Sequence, residues 1–251
     1  MVTGADSAGR AWAGRSFESN PWAGDDGSAP AGFEAAVRAL REGRLQAPAV
    51  LDVLRDARLL VPLVADLAEA DHGVHGTADK RAELALPTVA GPDGRRVLPA
   101  FSSAAAMAAW NPAARPVPAP ARQVALGAAG DGVELVVIDP GSTTQFGLRR
   151  GALESLARDT AWTPSWLDAE VLAAFRSAAE GEPLRAAVTV EPGDPLCTLD
   201  GAEVRVVLTP VGVDAFPDAG VVDRLRERWS SAPAILRAVD SITIVIGRGR
   251  P

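Results

Sequence analysis

The chain has 251 residues, 47% of them hydrophobic and 23% charged, which suits a soluble globular protein with one large domain or two small ones. A formal net charge of −7 and a pI near 5.0 leave no basic face to displace counterions from phosphates, so nucleic acid and anionic membranes are not expected as partners. Cys197 is the only cysteine, which excludes an internal disulfide, and no apolar run reaches the ~18–20 residues of a membrane span.

Residues 1–30 are rich in Gly, Ala, Ser and Asp without apolar periodicity, and read as a flexible tail. Met1 to Arg10 lacks an apolar signal core, so a cytoplasmic location is expected. Helical spacing begins at Phe33, with Ala36, Val37 and Leu40 on the same face and Gly43 as a stop. Pro48 opens a second helix lined by Val50, Leu51, Leu54 and Ala57. Arg58 to Ala65 reads as a strand, and Pro62 puts it at an edge or a bulge. Residues 66–82 read as a polar loop carrying both histidines.

Leu84 to Ala90 and Arg95 to Phe101 read as a hairpin turned by Gly91-Pro-Asp-Gly94. Ser102 or Ser103 caps a short helix that ends near Trp110. Asn111 to Pro120 holds too many prolines for a helix and reads as a stiff surface connector. Strands are expected at Arg122 to Leu126, Val133 to Ile138 and Phe146 to Leu148, followed by a helix from Ala152 to Arg158. Trp162 to Trp166 reads as an inter-domain connection, with a helix from Asp168 to Glu180 beyond it. The remainder reads as strands at Leu184 to Val190 and Glu203 to Val211, a helix from Asp218 to Trp229, and a β-branched final strand, Ile242 to Ile246.

Irregular alternation with hairpins gives the fold class α+β: a mixed, hairpin-containing sheet with packed helices, plus a smaller β-α-β C-terminal unit. The expected division is 1–30 as tail, 31–160 as the larger domain and 161–251 as the smaller one.

An ordered set of motifs spans roughly residues 33–160. It runs Leu86-Pro87, Gly91-Pro-Asp-Gly-Arg-Arg-Val-Leu-Pro-Ala-Phe-Ser-Ser103, Trp110-Asn-Pro-Ala-Ala-Arg-Pro-Val-Pro118 and Val137-Ile-Asp-Pro-Gly141. In this order the motifs resemble the SseB family, in particular its actinobacterial members. The tail pattern Trp12-Ala-Gly-Arg15 followed by Gly24-Asp-Asp-Gly27 resembles the same members. The resemblance implies an α+β cytosolic protein and a link to enhanced serine sensitivity, a phenotype rather than a reaction. It supplies no catalytic residues.

The loop after Ile138 is the first candidate site. Ser142, Thr143 and Thr144 with successive backbone N–H groups can form an anion nest, and Arg149 would add charge. The competing reading has Asp139 and Pro140-Gly141 make the turn while the hydroxyls satisfy loop backbone, and it is preferred because glycine and lysine spacing for a phosphate loop is missing. His72 and His75, with Asp71 and Asp79, offer metal ligands but sit in a glycine-rich loop, so no metal and no cofactor are expected. Cys197 lies between Asp194 and Asp200, surroundings that do not favour a thiolate. Both histidines fall in one loop, which leaves little material for a nucleophile–base pair, and a non-enzymatic protein is expected.

Trp12 and Trp22 stand out in the tail as interaction anchors for a protein partner, or as residues that pack back on the core. The expected function is a cytosolic interaction or regulatory protein, with a small-anion or metabolite-binding module as the alternative and an unrecognised enzyme behind both. A pocket lined by Arg149, Ser142 and Thr143 would favour ligand binding, and a broad exposed apolar patch would favour a protein partner.

Overall fold

The computed structural model describes residues 22, 24–64, 88–91, 94–180, 182, 186–211 and 219–247. The fold is α+β. Helices α1 (Phe33–Arg41) and α2 (Ala47–Leu54) form as their apolar spacing predicts, burying Phe33, Val37 and Leu40 on one and Val50, Leu51 and Leu54 on the other. Strands β2 (Val89–Ala90), β3 (Arg96–Ala100), β5 (Leu135–Ile138) and β6 (Phe146–Leu148) build a sheet in the order β2-β3-β5-β6. β2 and β3 are antiparallel, so the described part of the expected hairpin is present, while β3 and β5 run parallel.

The proline-rich connector is a strand. β1 (Arg58–Leu63) pairs antiparallel with β4 (Arg115–Pro120). Pro116, Pro118 and Pro120 alternate along β4, opposite Pro62, Leu60 and Arg58. Leu60 turns its own N–H and C=O to Phe101, both at 2.8 Å, and so away from β4. The prolines therefore fall at positions whose missing N–H groups face outward, where an edge strand tolerates them.

The expected strand at Arg122 to Leu126 is instead part of helix α4 (Ala121–Gly130), which follows α3 (Ala104–Trp110) and β4. Its buried face is Ala121, Val124, Ala125 and Ala128, a helical stripe carried mostly by alanine. α4 packs beside α5 (Arg150–Arg158). One hydrophobic cluster joins α1, α2, β1, β3, α4, β5, β6 and α5.

A second cluster gathers around α6 (Ala169–Ala179) and the sheet β7-β8-β9 (Ala186–Pro192, Val204–Pro210, Ile242–Ile246). Here β7 and β8 are antiparallel and β8 and β9 parallel. Two helices, α7 (Ala219–Ser231) and α8 (Pro233–Ala238), fill the connection from β8 to β9, where a single helix was expected. Trp229 is buried against Phe175 and donates its indole N–H to that residue's carbonyl at 3.1 Å. Among the described residues, no helix is long and apolar enough to cross a membrane.

Candidate functional site

The parallel strands β3 and β5 end side by side at Ala100 and Ile138. The crevice beyond the carboxyl ends of parallel strands is where α/β sheets commonly hold ligands. Each strand here turns into a polar corner. Asp139 takes the left-handed conformation at φ 51° and is buried. Its Oδ1 accepts the Ser102 N–H at 2.7 Å, and its Oδ2 accepts the hydroxyls of Ser102 at 2.6 Å and Thr144 at 2.8 Å. The Asp139 carboxylate therefore ties the end of β3 to the loop after β5.

That loop is a closed knot of short bonds. The Ser142 hydroxyl donates to the Asp139 carbonyl at 2.8 Å and accepts the Thr144 N–H at 3.1 Å. Gly141, at φ 75°, gives its N–H to Gln145 Oε1 at 2.7 Å. Ser142 and Thr144 are thus engaged as loop satisfiers. Thr143 differs: it is exposed, and its hydroxyl has no partner among the described residues.

A cleft of about 390 Å³ opens over this knot, floored by Ser102, Asp139, Thr143 and Thr144. Its opposite wall is the solvent face of α1. Glu34, Arg38 and Arg41 recur there at helical spacing, behind the buried Phe33, Val37 and Leu40. Arg41 donates to the Gln145 carbonyl at 3.0 Å. Arg38 makes no hydrogen bond or ion pair among the described residues. Ser103 completes the rim; its hydroxyl accepts the Ala106 N–H at 3.1 Å as the cap of α3 and keeps a hydrogen to donate.

Arg149 is not part of this cleft. It is 8% exposed and points toward the C-terminal cluster. Its guanidinium donates to Asp194 at 3.0 Å, Asp240 at 2.8 Å, the Gly201 carbonyl at 2.6 Å and Ser241 at 3.3 Å. Arg95 adds two bonds to Asp240, and Arg150 reaches the carbonyls of Leu236 and Val239. Burial works against the Arg149 charge, but the Asp194 and Asp240 carboxylates outweigh it and raise its pKa. Burial likewise opposes ionisation of Asp240, yet Arg95 and Arg149 hold its pKa below the ordinary value. Beside this clamp, burial raises the pKa of Glu203, which accepts from the Ser165 hydroxyl and the Asp240 N–H, both at 2.6 Å.

Cys197 is buried against the same clamp. Burial, with Asp194 next, pushes its thiol up to about 12, so it is not a thiolate at neutral pH. Its carbonyl accepts the Gly147 N–H at 2.6 Å.

Trp22 is partly buried, and Trp12 lies outside the described residues. The described part of the expected tail is anchored: Asp25 forms an ion pair with the buried Arg58, and Arg58 also donates to the Ser28 carbonyl at 3.0 Å and the Ser102 carbonyl at 2.9 Å. His72, His75, Asp71 and Asp79 lie outside the described residues, among which no group of three or more His, Cys, Asp or Glu could hold a metal.

The sequence reading missed Glu34, Arg38 and Arg41. The available signal was their own spacing, a charged stripe on a helix whose other face is apolar, but such stripes are ordinary on solvated helices. Residues 33–155 match the SseB protein N-terminal domain family. No curated protein and no solved structure matches the chain. The matched stretch contains every residue of the cleft, whereas Asp194 and Asp240 of the clamp fall outside it.

Proposed function

The chain belongs to the SseB family, and on that premise we propose that it is a non-enzymatic, cytoplasmic regulatory protein that holds a small anion or carboxylate-bearing metabolite in the cleft between α1 and the Asp139 loop. One observation carries this reading. Arg38 and Thr143 are polar, accessible and unpartnered among the described residues, at the carboxyl ends of two parallel strands. The hydroxyls beside the cleft and the single thiol support a binding role over a chemical one. The hydroxyls of Ser142 and Thr144 are turned into the Asp139 knot, and the Cys197 thiol is buried and protonated. A role in serine or other amino-acid homeostasis, which the family phenotype suggests, is part of the same proposal.

Calorimetric titration with acetate and with inorganic phosphate tests the cleft. Heat in the unaltered chain that disappears in Arg38→Ala and weakens in Thr143→Ala is the expected result. An unaltered chain that binds neither anion, nor a small carboxylate-bearing metabolite, refutes it.

A protein partner is the companion reading, favoured by β9. Val245 and Ile246 are 40% and 47% exposed on a strand that pairs only with β8 among the described residues. An uncharged edge strand is a template for added strands. Ile246→Lys is expected to release a bound partner without shifting the melting temperature; a partner retained in full by that variant argues against this edge.

A further inference from the structure

Four ionic side chains line the cleft, and their charges cancel: Arg38 and Arg41 against Glu34 and Asp139. A site for a multiply charged anion is expected to present surplus positive charge, usually several arginines or a run of backbone donors. This one does not, and it sits in a chain of net charge −7. A phosphate placed here would meet the Asp139 carboxylate on the floor and Glu34 on the wall.

Glu34 and Arg38 lie one turn apart on the same face of α1, where opposite charges usually pair. Neither is in an ion pair or side-chain hydrogen bond among the described residues. Both oxygens of Asp139 are engaged by Ser102 and Thr144, so Glu34 is the carboxylate left to receive a cation. Arg41 spends one N–H on the Gln145 carbonyl and is held there, whereas Arg38 makes no bond among the described residues, so Arg38 is the uncommitted guanidinium beside Glu34. The free positive and free negative groups are neighbours, and the hydroxyls of Thr143 and Ser103 face the same space.

We infer that the cleft recognises a small zwitterion of the α-amino-acid type, its carboxylate on Arg38 and its ammonium on Glu34. This rests on the cleft being a ligand site, and it narrows the ligand from any small anion to one bearing both charges on adjacent groups. Arg38 alone would bind acetate and an amino acid alike. Glu34 is what separates them.

The experiment compares L-alanine, acetate and inorganic phosphate by ligand-observed NMR and calorimetry on the full chain. L-alanine is expected to bind about fivefold more tightly than acetate, the most that one solvent-exposed ion pair supplies. Glu34→Gln should bring alanine down to the level of acetate, and Arg38→Ala should abolish both. Both side chains are on the solvent face of α1, so circular dichroism of the variants should match the parent. Acetate or phosphate binding as tightly as alanine overturns the zwitterion and leaves the anion site standing. Binding of none of the three overturns both.

Discussion

Asp139 and Arg149 stand at opposite ends of one loop and strand, and the structure treats charge in opposite ways around them. Arg149 is buried, and its guanidinium is matched by two carboxylates, a carbonyl and a hydroxyl from the C-terminal half. Nothing there is left over for a ligand. Around Asp139 the buried carboxylate is equally well satisfied, but the layer above it is open and keeps Arg38 and Thr143 unpartnered. A buried charge must be fully paired to be tolerated, whereas an exposed one can wait in water at little cost. The corner with the richer list of contacts is therefore structural, and the poorer one is the candidate site.

The sharpest way to break that contrast is to remove Arg149. Arg149→Ala takes a guanidinium from Asp194 and Asp240, which are 5% and 2% exposed, leaving Asp194 only its Thr198 and Leu199 donors and Asp240 its Arg95 bonds, and should cost about 3 kcal/mol, the low end of the penalty for breaking a buried pair. Urea denaturation would show it, and a loss under about 1 kcal/mol would mean that the clamp does not hold the halves together. Acid gives a second readout. Asp240 has a folded pKa below its ordinary 3.8, so its contribution is present above that value and is lost as pH falls through the lower, folded one. The parent should therefore lose stability below pH 3.8 more steeply than Arg149→Ala, which has already lost one of the two guanidinium partners of Asp240.

The floor of the cleft should respond less. Asp139→Ala removes the acceptor of the Ser102 N–H and of two hydroxyls, at a cost of about 1–3 kcal/mol for leaving them unsatisfied. Part of the loss comes from the backbone, because φ 51° suits Asp or Asn better than Ala. Asp139→Asn, which keeps that tolerance and one acceptor oxygen, should recover a measurable fraction of the melting temperature. Equal losses in the two variants would assign no share to φ.

How much of this was legible varies residue by residue. α1 and β9 were readable because Phe33, Ala36, Val37 and Leu40, and the run Ile242 to Ile246, carry strong periodic or β-branched signals. α4 was hidden because its buried stripe is mainly alanine, which contributes little apolar contrast, while Val124 and Leu126 alternate as strand residues do. The prolines of β4 were read as breakers; their period of two, which fits an edge strand, has meaning only once the partner strand is known. The loop residues Ser142 and Thr144 behave as the turn chemistry suggests. Arg149 was placed with them by proximity in the chain, but its partners are 45 and 91 residues away, a distance at which side-chain pairing leaves no local trace. The cleft itself was invisible for the same reason: α1 supplies one wall and the Asp139 loop the other, and only the fold brings them together.

The smallest stability effect is the most telling one. Arg38→Ala and Thr143→Ala remove side chains that are exposed and support no other group among the described residues, so each should lie within about 0.5 kcal/mol of the parent. A structural residue cannot be deleted so cheaply, as Arg149 should demonstrate. If ligand binding vanishes in Arg38→Ala while the urea midpoint stays put, its guanidinium is kept for something outside the chain. If Arg38→Ala instead unfolds as readily as Arg149→Ala, both arginines are structural, and the contrast between the two corners collapses.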